Sequence, residues 1–156
     1  YKNHKIVLSF FSSSGYQVRK NNPIGDITVY LPLDTSKNSR KFVSLINPKM
    51  VFFVKYEFWP NYLQNLKKNS IPTFLLAGLF RENHWFFRWY GSGFLNLLKS
   101  SITHFFVQNK DSIDLLINNN ITNCTLMGDS RFDRVNTLLD QNNNIENIKE
   151  FKQNLL

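Results

Sequence analysis

A chain of 156 residues, 42% hydrophobic and 19% charged, is long enough for one domain with a real core and short for two. Fifteen Phe, six Tyr and three Trp exclude a disordered chain despite the asparagine tracts, and a single cysteine, Cys124, excludes an intrachain disulfide or a multi-cysteine zinc site. The formal charge of +8 implies attraction to polyanions, which covers nucleic acid, an anionic membrane surface and a phosphorylated substrate without choosing among them.

The first element is the apolar run Lys5 to Phe11, a strand closed by Ser12-Ser13-Ser14-Gly15, with a short helix from Tyr16 to Lys20. Ile27 to Leu31 predicts a second strand, and Asp34-Thr35 then caps an amphipathic helix from Lys37 to Ile46 that stops before Pro48. Met50 to Val54 is continuously apolar, as in a strand covered on both faces, and Pro60 opens a helix through Lys68. Thr73 to Ala77 is a fourth strand. Glu82 to Lys99 has a helical pattern, broken near Gly91-Ser92-Gly93, and precedes a strand from Thr103 to Val107. A helix from Asp111 to Asn118, a short strand from Cys124 to Met127, a turn at Gly128-Asp129, a helix from Arg131 to Leu139 and an Asn-rich linker complete the series. Strands alternating with helices at this spacing predict a parallel α/β sheet with right-handed crossovers. No apolar run approaches the roughly 20 residues that span a bilayer, so the chain is expected to be soluble or peripheral. Both ends read as cut, one just before a strand and the other within a helix-like pattern.

Three stretches carry candidate chemistry. Ser12, Ser13, Ser14 and Gly15 put hydroxyls and backbone amides at a helix N-terminus on the carboxyl edge of a strand, where anions and sugar hydroxyls bind, with Arg19 one turn on. A plain serine N-cap explains the same residues. Lys55-Tyr56-Glu57-Phe58-Trp59-Pro60 sets a carboxylate among aromatics at another such edge, where Glu57 is either a ligand group or a cap for the helix opened by Pro60. The run His84 to Tyr90, with Phe94, Leu95, Leu97, Leu98 and Lys99, has more aromatic surface than one core-facing helix needs. Trp85, Phe86, Arg88, Trp89 and Lys99 therefore form a candidate membrane-interface contact, against core or partner-domain packing and against base stacking on single-stranded nucleic acid. His4, His84 and His104 are scattered, and no His/Asp/Glu cluster has metal-ligand spacing, so no protein-bound metal is expected.

Taken together, Ser12-Ser-Ser-Gly-Tyr-Gln-Val-Arg19, Lys55-Tyr-Glu-Phe-Trp-Pro60, Val107-Gln-Asn109 and Gly128-Asp-Ser-Arg-Phe-Asp133 resemble the amino-terminal domain of 3-deoxy-D-manno-octulosonic acid (Kdo) transferases in order and spacing. The resemblance reaches to about Leu139. It implies the amino-terminal, Rossmann-like half of a GT-B fold, missing its first strand, with an acceptor-side domain over 1–139. Residues 140–156 would be an Asn-rich linker and the start of a helix toward a donor domain. The implied activity is metal-free, inverting transfer of Kdo from CMP-Kdo, bound through the absent carboxyl-terminal domain, to a lipid A precursor in lipopolysaccharide inner-core synthesis, with no cofactor.

The family's general base is a glutamate in a loop upstream of the strand that opens this chain, so the resemblance implies no catalytic residue here and an inactive fragment. Glu57 matches the second glutamate of the family's Glu-x-Glu-x-Trp-Pro pattern, which shapes the acceptor site, while Lys55 replaces the first. The family's Ala-Arg-Leu appears as Ala77-Gly78-Leu79, so its arginine is absent and Arg81 is the nearby substitute. Ser12, Ser13, Ser14, Gly15, Arg19, Glu57 and Arg81 are thus the expected acceptor-binding set. The expected location is the cytoplasmic face of the bacterial inner membrane, held peripherally or by an anchor outside this chain. Two other readings are a non-catalytic basic module that binds nucleic acid, for which no recognised motif is present, and another GT-B enzyme with a different nucleotide sugar.

Overall fold

The computed structural model describes residues 4–21 and 23–128. The Asp129 to Asp133 stretch, the helix expected from Arg131 to Leu139 and the linker lie outside them. In chain order the elements are β1 (Val7–Phe10), α1 (Ser13–Arg19), β2 (Ile27–Tyr30), α2 (Ser36–Ile46), β3 (Val51–Val54), α3 (Pro60–Lys68) and β4 (Thr73–Gly78). Two single-turn 3-10 helices (Trp85–Phe87 and Trp89–Gly91), α4 (Ser92–Ser101), β5 (His104–Val107), α5 (Lys110–Asn118) and β6 (Cys124–Leu126) follow. Every strand pairing is parallel. The fold is therefore the α/β, Rossmann-like arrangement expected, with helices carrying each crossover.

The helix boundaries have local causes. Thr35 caps α2 by accepting from the Asn38 amide at 3.2 Å, and α2 ends on Asn47 in the left-handed region (φ 44°), just before Pro48. Pro60 fills the first turn of α3, where its missing N–H costs nothing. The flanking Trp59 gives no side-chain cap. Asp34 does so from another part of the fold: its two carboxylate oxygens accept from the Asn61 and Tyr62 amides, each at 3.1 Å. The pair Asp34-Thr35 thus caps two helices, not one, and the negative charge of Asp34 meets the positive end of α3.

The strands form two hydrogen-bonded sheets, β1-β2 and β3-β4-β5-β6, with no backbone pairing between β1 and β3. Side chains join the pieces. Phe11, just past β1, lies 4.7 Å from Trp59, just past β3, and Tyr62 donates to the Pro32 carbonyl at 2.9 Å. The main core lies on the four-stranded sheet, where Leu63, Leu75, Leu98, Phe105, Val107 and Leu116 are fully buried. A smaller cluster of Val43, Tyr62 and Leu66 fills the space between α2 and α3.

Two expectations fail. β3 is not covered on both faces: Val51 and Phe53 pack inward, whereas Phe52 and Val54 are half-exposed, with the Phe52 ring stacked on Phe74 at 5.4 Å. The helix expected from Glu82 to Lys99 is α-helical only from Ser92 onward. Its first half is two tight turns folded back on each other, because Gly91 packs directly on the backbone of Trp85 and Phe86, where any Cβ would collide. Among the described residues no helix is long and apolar enough to cross a membrane.

Candidate functional site at the carboxyl edge

In a parallel sheet strands deliver their following loops to one edge, so the segments after β3 and β4 emerge together, and the Phe11–Trp59 contact brings the segment after β1 beside them. The Ser12 turn behaves as an N-cap: its hydroxyl accepts from the Gly15 amide at 3.1 Å and from Ser14 Oγ at 3.4 Å. Ser12, Ser13 and Ser14 are nonetheless exposed, and Gly15 is half-buried against Phe10. Arg19, in the last turn of α1, is exposed and has no partner among the described residues.

Glu57 does not cap α3. Its Oε2 accepts from the Trp59 indole N–H at 2.9 Å, which leaves Oε1 without a partner among the described residues on an exposed side chain. Trp59 in turn meets Phe11 beside the Ser12 turn. A continuous contact path, Ser12 turn to Phe11 to Trp59 to Glu57, thereby links the ends of β1 and β3. An anchored indole holding a carboxylate reduces the rotamer entropy that an exposed glutamate would otherwise lose on binding a ligand.

The backbone beneath is strained in two places. Of the five non-glycine residues with positive φ among the described residues, Asn47, Ser70 and Asn120 follow helices, whereas Lys55 (φ 61°) and Ala77 (φ 52°) sit at the carboxyl ends of the neighbouring β3 and β4. A left-handed conformation costs an L-residue about 1–2 kcal/mol, and such residues cluster at functional sites. At Ala77 it coincides with a shift in the β4–β5 register, where Leu75 pairs Phe105 but Gly78 pairs Val107, so β4 carries one extra residue.

The loop after β4 brings Arg81 and His84 to the same edge. The His84 amide donates to the Arg81 carbonyl at 3.0 Å, and a longer contact of 3.5 Å joins the Arg81 amide to His84 Nδ1. The His84 ring meets Tyr56 edge-on at 5.8 Å, so Tyr56 from the β3 loop and His84 from the β4 loop form one surface. Burial first, and then the positive charge of Arg81, holds His84 below the usual histidine range. The spacing of the histidines did not point to this contact with Tyr56. The nearest sequence signal was Arg81 itself.

The aromatic turns divide. Trp85, Trp89 and Tyr90 are exposed, Trp89 to 87%, and Arg88 and Lys99 are exposed with them. Phe86 is buried at 4% among Phe80, Phe58 and Phe94, so it belongs to the core and cannot touch a membrane. Cys124 is half-buried in β6, its thiol donating to the Ile121 carbonyl and its pKa raised by burial. Among the described residues no group of three or more His, Cys, Asp or Glu could hold a metal.

Against known proteins, the family model described as 3-deoxy-D-manno-octulosonic-acid transferase (kdotransferase) matches residues 1–134. The match runs through the Ser12 turn, the Glu57 segment, the β4 loop and the Val107-Gln108-Asn109 segment, and the chain belongs to this family.

Proposed function

From membership in the Kdo transferase family, we propose that this chain is the acceptor-side domain of a glycosyltransferase that moves Kdo from CMP-Kdo to a lipid A precursor. Residues 1–139 would form that domain and 140–156 would lead toward a donor-binding domain. The observation that carries the reading is the Glu57 carboxylate, held by Trp59 and linked through Phe11 to the Ser12 turn at the carboxyl edge. Sugars offer many hydroxyl donors, and a fixed carboxylate with a free oxygen is a suitable acceptor for one of them. Arg19 and Arg81, both exposed, supply cations for a phosphorylated acceptor.

In the proposed reaction an acceptor hydroxyl attacks the anomeric carbon of Kdo, CMP leaves with the bonding electron pair, and the hydroxyl proton passes to a glutamate that the family resemblance assigns to a segment upstream of β1. No metal or cofactor takes part. Glu57 orients the hydroxyl and does not remove its proton. Glu57→Ala in the full-length enzyme is expected to lower kcat/KM for the acceptor at least about tenfold, or about 1.4 kcal/mol, with little change in stability. Activity within about twofold of the parent would defeat the role.

An acylated, anionic acceptor also accounts for the exposed aromatic turns. We place Trp85 and Trp89 at lipid headgroup depth, with Arg88 and Lys99 meeting phosphates, on the cytoplasmic face of the inner membrane. Basic residues near an anionic surface contribute roughly 1 kcal/mol each and fade with salt, while ring insertion does not. Replacing Trp85 and Trp89 with serine should weaken co-sedimentation with anionic liposomes even at high salt; unchanged binding by the folded variant would move the membrane surface elsewhere. The nucleic-acid module shares the charge and the exposed rings, but no recognised motif accompanies them.

A further inference from the structure

We propose that Gln108 is a positioning residue for the acceptor site, clamping the strained end of β4 so that the following loop presents Arg81 and sets His84 against Tyr56. The inference rests on the acceptor-site reading above. Gln108 lies immediately after β5 and grips β4 at two consecutive carbonyls. Its backbone amide donates to Gly78 at 2.8 Å and its side-chain Nε2 donates to Ala77 at 3.0 Å. Ala77 is the residue with φ 52° at the register shift, so the side-chain bond falls on the carbonyl of a strained residue.

The next residues extend the grip. Asn109 caps α5 by accepting from the Ser112 amide at 3.0 Å and also accepts from the Ser112 hydroxyl at 2.6 Å. That hydroxyl, fully buried, accepts from the Phe80 amide at 2.8 Å. Gln108, Asn109 and Ser112 together hold Ala77, Gly78 and Phe80, and the chain then enters the tight turn from Arg81 to His84. Gln108 is half-buried, and its two bonds to β4 make it act through the loop that follows. Glutamine is required because the clamp needs an N–H donor: a carboxylate of the same shape would face the Ala77 carbonyl oxygen with no hydrogen to share.

The test compares Gln108→Glu, Gln108→Ala and each combined with Ala77→Gly in the full-length protein, since glycine holds a positive φ without strain. Gln108→Glu is expected to raise KM for the acceptor about fivefold or more while KM for CMP-Kdo stays within about twofold. Amide exchange over 79–84 should quicken while β5 stays protected. Ala77→Gly should restore part of both losses. Equal changes in both KM values, or exchange unchanged over 79–84 in both Gln108 variants, would overturn the proposal. If Gln108→Glu does not fold, Gln108→Ala, which removes the donor without adding charge, decides by the same readouts. A parent protein that transfers no Kdo would defeat the proposed function, and the exchange measurement would still decide whether Gln108 holds the loop.

Discussion

The β1-α1-β2 unit and the four-stranded sheet share one architecture but are held by different forces. In the four-stranded sheet Leu75, Phe105 and Val107 are wholly buried, and helices α3, α4 and α5 each contribute buried residues. In the first unit no residue of β1, α1 or β2 is buried. It is tied down by a few named contacts: the Tyr16–Tyr30 stack at 4.0 Å, Asp26 accepting from the Ile6 amide at 2.7 Å, and the Phe11, Pro32 and Asp34 links to the α3 region. Buried apolar area sets how costly local opening is, so the Ser12 turn and Arg19 ride on the part that opens first. One part of the candidate site owes its position to a few aromatic and polar tethers, and the other to the core.

The two parts are expected to come apart most readily at Asp34. Asp34→Ala removes the cap of α3 and one of the links to the first unit together, and is expected to cost about 2 kcal/mol, the upper end for a lost cap. Amide exchange should speed up in β1 and β2 while β5 keeps its protection. Uniform acceleration across both sheets would show that the two parts open as one.

A smaller effect sharpens the same seam through Tyr62. Burial, and then the negative charge of Asp34, raise its hydroxyl from the ordinary 10.0 to about 12, and the protonated hydroxyl donates to Pro32. Because the folded value lies above the unfolded one, this contribution is complete below pH 10 and is lost as pH rises toward 12. Tyr62→Phe should cost about 1 kcal/mol at neutral pH and flatten the stability profile over that alkaline window. A variant with the parent's full alkaline loss would assign the dependence to another group.

Much of the fold was legible in the sequence because its signals are local. Apolar runs marked all six strands, Pro60 marked α3 and Thr35 capped α2, each within a turn of the residues affected. The misses are contacts between distant residues. Asp34 caps a helix 27 residues away, Gln108 reaches back 31 residues to Ala77, and neither leaves a periodic trace. Glu57 stood out in the sequence as a candidate, but its hold by Trp59 did not, since spacing does not tell a cap from an indole partner. His84 looked isolated because Tyr56 approaches it from another strand. The turns from Trp85 to Gly91 kept a helical count of apolar residues while the chain doubled back, and only the close approach at Gly91 reveals it.

Ala77 narrows what this position can become as sequences drift. It belongs to a strand whose neighbours Phe74, Leu75 and Leu76 are bulky, and a strand context ordinarily welcomes valine or isoleucine. At φ 52° those residues are the ones most penalised, and glycine, asparagine or aspartate the ones tolerated. Substitution at 77 is therefore filtered by backbone conformation against the trend of its own strand. A β-branched residue there would mark a relative that shapes its β4 loop in another way.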